Sequence, residues 1–185
     1  PQSRSTPYLS PQNLFANGGF NLIEQDTIDK CQFLHDLGIN VNFAPVCDVS
    51  EDPKDFIYRR SFGQNAKKTA EYIKTVVKIM KEKKIVSVLK HFPGYGNNID
   101  THFEVAFDER PFETFISSDF IPFQAGIDSG ADIVMFSHNV MSCVDKSLPS
   151  SLSLPVHKIL REKLNFSGLT ITDDFDMQGI VKYAD

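Results

Sequence analysis

Residues 65–89 read NAKKTAEYIKTVVKIMKEKKIVSVL, an amphipathic pattern that passes directly into an apolar run. From 65 to 83 the apolar side chains recur at helical spacing with lysines opposite, and they are Ala70, Ile73, Val76, Val77 and Met80. The next segment, 85–89, is almost continuously apolar, which is typical of a strand covered on both faces. A long helix followed by such a strand favours an α/β fold with a parallel sheet.

The same alternation extends in both directions along the chain. We predict further helices over 24–37, 111–128 and 154–164, and further strands over 39–46, 132–136 and 169–172. Strands that alternate with helices indicate a parallel sheet with helical crossovers. A closed (β/α)8 TIM-type barrel needs about 250 residues, so either a small open sheet or an incomplete barrel fits this length. We expect the incomplete barrel, formed by residues 1–185 as a single domain that lacks the first and last strands, because both ends of the sequence are abrupt.

Composition argues against several classes of protein. The 185 residues include 19 basic and 24 acidic side chains, for a net charge of −5, so no basic excess is present to bind nucleic acid. No apolar run approaches the roughly 18 residues of a membrane-spanning helix. The three cysteines are far apart and lack a Cys-x-x-Cys pair, which predicts reduced thiols rather than disulfides or structural zinc. The first residues include no initiator Met and no apolar leader, which leaves the compartment unknown with the cytoplasm slightly favoured.

Polar side chains follow the predicted strands at the points where the strands end. They are Asp48, the pair Lys90-His91, the pair Ser137-His138 and the pair Asp173-Asp174. Sites in parallel α/β folds form at the carboxyl ends of the strands. We therefore expect these side chains to share one active-site face.

A segment of about 20 residues without periodicity separates the strand ending at Leu89 from the helix near 111. Segments of that length are uncommon in compact domains unless they are functional or mobile. Among the titratable groups of this segment are Lys90, His91, Asp100 and His102. That content favours a functional role.

The residues alone leave structural alternatives open. Asp173 or Asp174 could cap the helix that follows them, which is a common role for aspartate. Arg60 could form a structural salt bridge. The Asp-x-His sequence at 100–102 could be an exposed loop or part of a metal site.

Four groups of motifs stand in order along the chain. They are NFAPVCDV at 42–49 with RSFG at 60–63, KHFPGYGNNIDTH at 90–102, ADIVMFSH at 131–138 with PSSLS at 149–153, and ILREK at 159–163 with GLTITDDFDM at 168–177. Together they resemble glycoside hydrolase family 3, in its β-N-acetylglucosaminidase branch. The 90–102 segment is the most informative, because it is similar to the family's Lys-His-Phe-Pro-Gly-His-Gly loop with its Asp-x-His pair.

The resemblance implies a (β/α)8 catalytic domain with a two-step mechanism. It implies that Asp173 is the nucleophile and forms a glycosyl-enzyme intermediate. His102 would be the acid/base, assisted by Asp100. An imidazole suits this role because it titrates near neutral pH, and a neighbouring carboxylate orients the ring.

The resemblance also implies a set of substrate-binding residues. Lys90, His91 and Arg60 would hydrogen-bond sugar hydroxyls, and His138 would line or brace the cleft together with Asp48. The sequence departs from the family at 95 and 97, where Tyr and Asn replace a common His and Asp. We interpret both as changes in loop packing. An acidic sugar-binding residue and a Glu-Gly-Gly stretch of the family have no match in residues 1–20.

These roles predict a retaining glycosidase that releases terminal β-linked N-acetylglucosamine from a small glycan or muropeptide, without a cofactor or metal. Two alternatives stay open. One is a metal-dependent hydrolase on a (β/α)8 scaffold, with ligands drawn from His91, His102, His138, Asp173 and Asp174. The other is a non-catalytic sugar-binding remnant.

Overall fold

A computed structural model describes residues 8–99, 101 and 105–183. The helices are α1 (Pro11–Asp36), α2 (Ala66–Glu82), α3 (Phe112–Thr114), α4 (Phe120–Asp128), α5 (Leu154–Lys158) and α6 (Gln178–Val181). The strands are β1 (Val41–Asn42), β2 (Val86–Phe92), β3 (Phe107–Asp108), β4 (Ile133–Phe136), β5 (Val140–Met141) and β6 (Leu169–Thr172). Two π-helical turns, Phe115–Asp119 and Ile159–Lys163, continue α3 and α5 directly. Across this described part of the chain, no helix combines the length and apolarity needed to cross a membrane.

The main sheet consists of four parallel strands in the order β1-β2-β4-β6. Each strand is followed by helix, and successive strands lie side by side in chain order. That order is the arrangement of an arc of a (β/α)8 barrel, whereas a doubly wound sheet reverses direction. The predicted parallel α/β class is therefore confirmed. Over the described residues the sheet is open, as in an incomplete barrel.

Alternate residues of the strands pack into two separate apolar clusters. Leu89 of β2 and Val134 of β4 belong to the large core beneath the helices. Val88 and Ile133, their neighbours in sequence, belong to a smaller cluster on the opposite face. Side chains of a strand point alternately to its two faces, so the strands are apolar on both sides. This explains why β2 and β4 show no polar alternation in the sequence.

Helix α1 and strand β1 differ most in extent from the sequence predictions. The helix predicted over 24–37 is the second half of α1, which begins at Pro11 with the Ser10 side chain accepting a hydrogen bond from the Asn13 amide. The helix kinks at Gly19, whose φ is +60°. The predicted strand 39–46 pairs as β1 only over two residues, with one further bridge between Val46 and Lys90.

The carboxyl end of β2 is irregular. The strand extends to Phe92, so Lys90 and His91 lie inside it rather than after it. Its register with β4 shifts between Leu89 and Phe92, and Phe92 consequently joins the same core as Leu89. The peptide bonds Lys90–His91 and Phe92–Pro93 are cis. A register shift of the β-bulge type, such as the one between Leu89 and Phe92, re-aims side chains and is common next to active sites.

Candidate active site

Backbone hydrogen bonds join the carboxyl ends of the parallel strands. The Cys47 amide donates to the Lys90 carbonyl at 2.6 Å, and the Ser137 amide donates to the Phe92 carbonyl at 2.9 Å. The Asp173 amide donates to the Phe136 carbonyl at 2.9 Å. These bonds bring the predicted polar residues, which lie at or just after the ends of the strands, to one edge of the sheet.

His91 lies at the centre of this edge and is 1% exposed. Its Nδ1 is 2.7 Å from Asp48 Oδ2, and its Nε2 is 3.1 Å from an Nη atom of Arg60. Because a guanidinium can only donate, Nε2 accepts from Arg60 and the ring proton is on Nδ1, where it points to the carboxylate. The ring is therefore held as one neutral tautomer by an acid on one side and a cation on the other.

Asp48 is buried and braces two parts of the site. Its Oδ2 also accepts a hydrogen bond from the His91 amide at 3.2 Å, and its Oδ1 accepts from the Tyr95 amide at 2.8 Å. Asp48 thus connects His91 to the start of the loop after β2.

Asp173 follows β6 directly and faces the same group of residues. Its Oδ1 accepts a hydrogen bond from the Asp174 amide at 3.0 Å. Its Oδ2 lies 4.0 Å from His91 Nε2, and the side chain retains 21% exposure. The carboxylate is thus oriented by the backbone on one oxygen and accessible to a ligand.

The cations beside Asp173 differ in exposure. Lys90 is half-buried, and burial followed by the Arg60 charge lowers the pKa of its ammonium. Arg60 is exposed apart from its contact with His91. Both side chains can therefore supply donors to a polar ligand next to the Asp173 carboxylate.

His138 is enclosed by the segment that carries Asp173. Its Nδ1 is 2.8 Å from the Ser151 hydroxyl, and its Nε2 is 3.0 Å from the Asp174 carbonyl. A carbonyl only accepts, so Nε2 carries the proton and Nδ1 accepts from Ser151. Burial lowers the pKa of His138, which favours this neutral ring. The arrangement makes His138 a brace for the turn after β6.

The loop after β2 begins against this site. The Tyr95 amide donates to Asp48, as described above, and the Tyr95 hydroxyl is 2.5 Å from the Thr101 hydroxyl. The Thr101 carbonyl accepts a hydrogen bond from the Gly179 amide of α6 at 2.9 Å. The predicted acid/base pair, Asp100 and His102, lies outside the described residues.

The residues of the metal-hydrolase alternative do not assemble into a metal site in the described ranges. No group of three or more His, Cys, Asp or Glu side chains there could hold a metal ion. The reason is visible at His91, where one ring nitrogen meets a guanidinium and the other donates to Asp48. Of the five ligands proposed for that alternative, His102 is not among the described residues.

Similarity to known proteins identifies the family of this chain. The chain matches the glycosyl hydrolase family 3 N terminal domain over residues 4–185. The chain belongs to this family. This chain is 36% identical over 141 residues to a β-hexosaminidase of Xanthomonas campestris pv. campestris. The matched residues are 76% of this chain and 42% of the β-hexosaminidase. The chain thus spans about four-tenths of the length of the curated relatives it matches.

Solved structures show the same family 3 architecture. A β-N-acetylglucosaminidase from Paenibacillus sp. str. FPU-7 superposes with a TM-score of 0.88 at 30% identity, covering 94% of this chain and 34% of that one. A β-N-acetylhexosaminidase from Beutenbergia cavernae superposes with a TM-score of 0.77 at 29% identity, covering 95% and 52%. The shared architecture supports the incomplete-barrel description given above.

The structure of the family 3 chain also contains a polar cluster that the sequence analysis missed. Arg110 lies between Asp108 and Asp119, and both carboxylates are 1% exposed. A signal was present at Asp119, which stands among aromatic residues four positions after Phe115 and so shares its buried helix face. A charged residue on a buried face needs a partner, but the sequence does not identify which one.

Proposed function

We propose that the full-length protein is a retaining glycoside hydrolase that releases terminal β-linked N-acetylglucosamine. The observation that carries the proposal is the accessible Asp173 carboxylate at the end of β6, 4.0 Å from His91 and oriented by the Asp174 amide. The names of the relatives, β-hexosaminidase and β-N-acetylglucosaminidase, support the identity of the sugar. A small glycan or a muropeptide is the proposed substrate.

In the first step, Asp173 attacks the anomeric carbon and forms a glycosyl ester, while the bond to the leaving oxygen breaks. His102 gives its proton to that oxygen, and Asp100 stabilises the imidazolium form. In the second step, His102 takes a proton from water as the water oxygen attacks the anomeric carbon, and the ester bond to Asp173 breaks. Two displacements return the anomeric carbon to its original configuration.

The remaining residues bind the sugar or support the ones that do. Lys90 and Arg60 are proposed to donate to sugar hydroxyls, since both carry donors beside Asp173. His91 is proposed to contact the same sugar through Nε2. This nitrogen would then accept hydrogen bonds from both the sugar and Arg60. His138 would act on the substrate through the turn that carries Asp173, because both of its nitrogens are engaged by protein groups.

The decisive experiment measures hydrolysis of an aryl β-N-acetylglucosaminide by the full-length protein and two variants. We expect Asp173→Ala to lower kcat by on the order of 10⁴-fold or more, as for other catalytic nucleophiles. Asp176→Ala is the matched control, because this exposed aspartate lies three residues away and should retain nearly full activity. NMR should detect the β-anomer of the sugar as the first product, and the α-anomer would contradict retention.

The acid role of His102 has its own test. His102→Ala should impair substrates with poor leaving groups far more than activated aryl glycosides, because good leaving groups need little protonation. An equal loss on both kinds of substrate would count against an acid at this position.

Two further results would favour the alternative functions. Loss of activity in EDTA with recovery in zinc would support the metal-dependent hydrolase. Sugar affinity without hydrolysis would support the non-catalytic binding remnant.

A further inference from the structure

The cluster around Arg110 is a nearly buried group of one cation and two acids. Arg110 Nε and Nη2 donate to Asp108 at 2.9 and 2.8 Å. Nη1 and Nη2 donate to the two oxygens of Asp119 at 3.0 and 3.1 Å. The guanidinium also lies 4.5 Å from the ring centroid of Phe115. Both carboxylates are therefore paired with a single guanidinium in bidentate geometry, which is the most directional form of ion pair.

The loop after β2 rests directly on this cluster. A Cβ atom at Gly94 would lie 2.3 Å from Asp119 Oδ1, and one at Gly96 would lie 2.4 Å from Arg110 Cζ. Both glycines have positive φ, +121° and +55°. Only glycine combines such a backbone with so close an approach, so the loop path is shaped to the surface of the ion pair.

The cluster holds the exit of the same loop as well as its entry. The loop is followed in the chain by β3, which pairs with β5. Asp108 is the last residue of β3. The Ser142 amide donates to the Asp108 carbonyl at 3.0 Å. Asp119 therefore contacts the loop where it leaves β2, Asp108 lies where the chain returns, and Arg110 links the two.

A second anchor fixes the side of the loop that faces the active site. Asp48 accepts from the Tyr95 amide, as described above, and Asn139 Nδ2 donates to the Gly94 carbonyl at 3.3 Å. Residues 94–96, at the start of the loop, are thus held between Asp48, which also orients His91, and the Arg110 cluster behind them. The position of this start of the loop relative to Asp173 therefore depends on both anchors.

We propose that Arg110 is a positioning residue for proton donation to the leaving group, acting by clamping the two ends of the loop that carries Asp100 and His102. The inference rests on the proposed function, because it assigns the acid to that loop. A displacement of a catalytic group by about 1 Å can cost roughly 10²-fold in rate. A clamp that sets the loop path therefore matters most when the barrier of the first step depends on protonation of the leaving oxygen, and least when the leaving group departs without a proton.

The test compares two β-N-acetylglucosaminides in the full-length protein, an activated aryl glycoside and a disaccharide with a sugar leaving group. Arg110→Lys keeps the charge but loses the bidentate geometry. We expect kcat/KM to fall by about 10- to 100-fold on the disaccharide and by less than about 3-fold on the aryl glycoside. The ratio of the two rates does not depend on the fraction of folded enzyme, so a loss of stability alone leaves it unchanged.

Arg161→Lys is the matched control. Arg161 also makes structural hydrogen bonds, to the carbonyls of Phe166 and Gly168 at 2.9 and 2.7 Å, but these lie before β6 at the opposite end of the sheet. Its substitution should leave the substrate ratio unchanged. Gly96→Ala, which forces the loop away from Arg110, should change the ratio in the same direction as Arg110→Lys.

The outcomes separate this inference from the proposed function. An equal loss on both substrates in Arg110→Lys would overturn the positioning role and leave a structural ion pair. If His102→Ala shows the selective loss and Arg110→Lys does not, the inference fails while the proposed function stands. If Asp173→Ala retains activity or His102→Ala shows no selectivity, the proposed function itself fails.

Discussion

Asp48 illustrates how a single buried residue organises the candidate site. One oxygen holds the His91 ring and amide, and the other holds the Tyr95 amide at the start of the loop. The carboxylate can serve all three because it only accepts, and all three partners are donors. Because the proton on Nδ1 of His91 points to Asp48, the unprotonated Nε2 faces Arg60 and Asp173.

Asp48→Asn should therefore lower activity without unfolding the protein. The asparagine amide oxygen can still accept from the Tyr95 amide, but its NH2 group would face His91 Nδ1. His91 Nδ1 would then have to accept, so the ring proton would move to Nε2. At Nε2 the proton would face the Arg60 guanidinium, which is also a donor. We expect kcat/KM to fall by about 10- to 100-fold, as for other residues that orient a functional histidine. Steady-state kinetics of the full-length protein measures the effect, with the exposed Asp52→Asn as control. Unchanged kinetics would show that the tautomer of His91 is irrelevant.

At the level of elements, the helical segment 112–128 has an unusual middle. The π-helical turn Phe115–Asp119 places the aromatic ring and the carboxylate on the buried side, at 0% and 1% exposure. π-helical turns are often found at functional sites. Burial raises the pKa of Asp119 to about 6, although the Arg110 charge opposes the shift and Asp108 and Asp48 add to it.

This shift predicts a pH dependence of stability. The folded state binds the Asp119 proton more tightly than the unfolded chain, in which the pKa is about 4. The stabilising contribution is thus present below about pH 4 and is lost as the pH rises through about 6. We expect it to be on the order of 1–3 kcal/mol.

Urea unfolding of wild type and Asp119→Asn between pH 4 and 7 measures this contribution. The wild type should lose more free energy of unfolding across that range than the variant, because asparagine does not titrate. Asp128→Asn, at the exposed end of α4, should keep the wild-type slope. Parallel pH curves for Asp119→Asn and wild type would contradict the prediction.

At the scale of the whole molecule, the sheet and its helices are joined through an aromatic core. The Phe92 ring lies 5.2 Å from the rings of Phe123 and Phe136 and 5.6 Å from that of Phe120. This group connects β2, β4 and α4 directly behind the strand ends that carry the site. The same contacts that stabilise the fold thus hold Lys90 and His91 in place.

Phe123→Ala should be strongly destabilising for that reason. Phe123 is completely buried, and its removal leaves a cavity against Phe92. We expect a loss of about 3–5 kcal/mol in the free energy of unfolding, measured by urea denaturation with an unchanged m-value. Ile116→Ala on the same helical segment is the control, because Ile116 is 50% exposed and should cost less than about 1 kcal/mol. Similar costs at the two positions would contradict this description of the core.

Much of the architecture could be predicted from local patterns. The apolar runs of β2 and β4 lie in almost the predicted positions, and β6 matches its prediction residue for residue. The polar residues at the strand ends converge as expected, because parallel strands end at one edge of a sheet. The first half of α1 was missed because Pro11 and the Gly18-Gly19 pair weaken the helical pattern there.

Periodicity and motif order were thus sufficient for the parallel α/β class, the sheet edge that carries the candidate site and the resemblance to family 3, since these depend on neighbours within a few positions of one another. Tertiary packing was needed for the short pairing of β1, the irregular end of β2, the tautomer of His91 and the Arg110 cluster. Each of these depends on partners brought together from distant segments, as His91 is with Asp48 43 positions away. A buried donor needs an acceptor because an unpaired buried polar group costs free energy. Which groups are buried together is decided only when the chain folds.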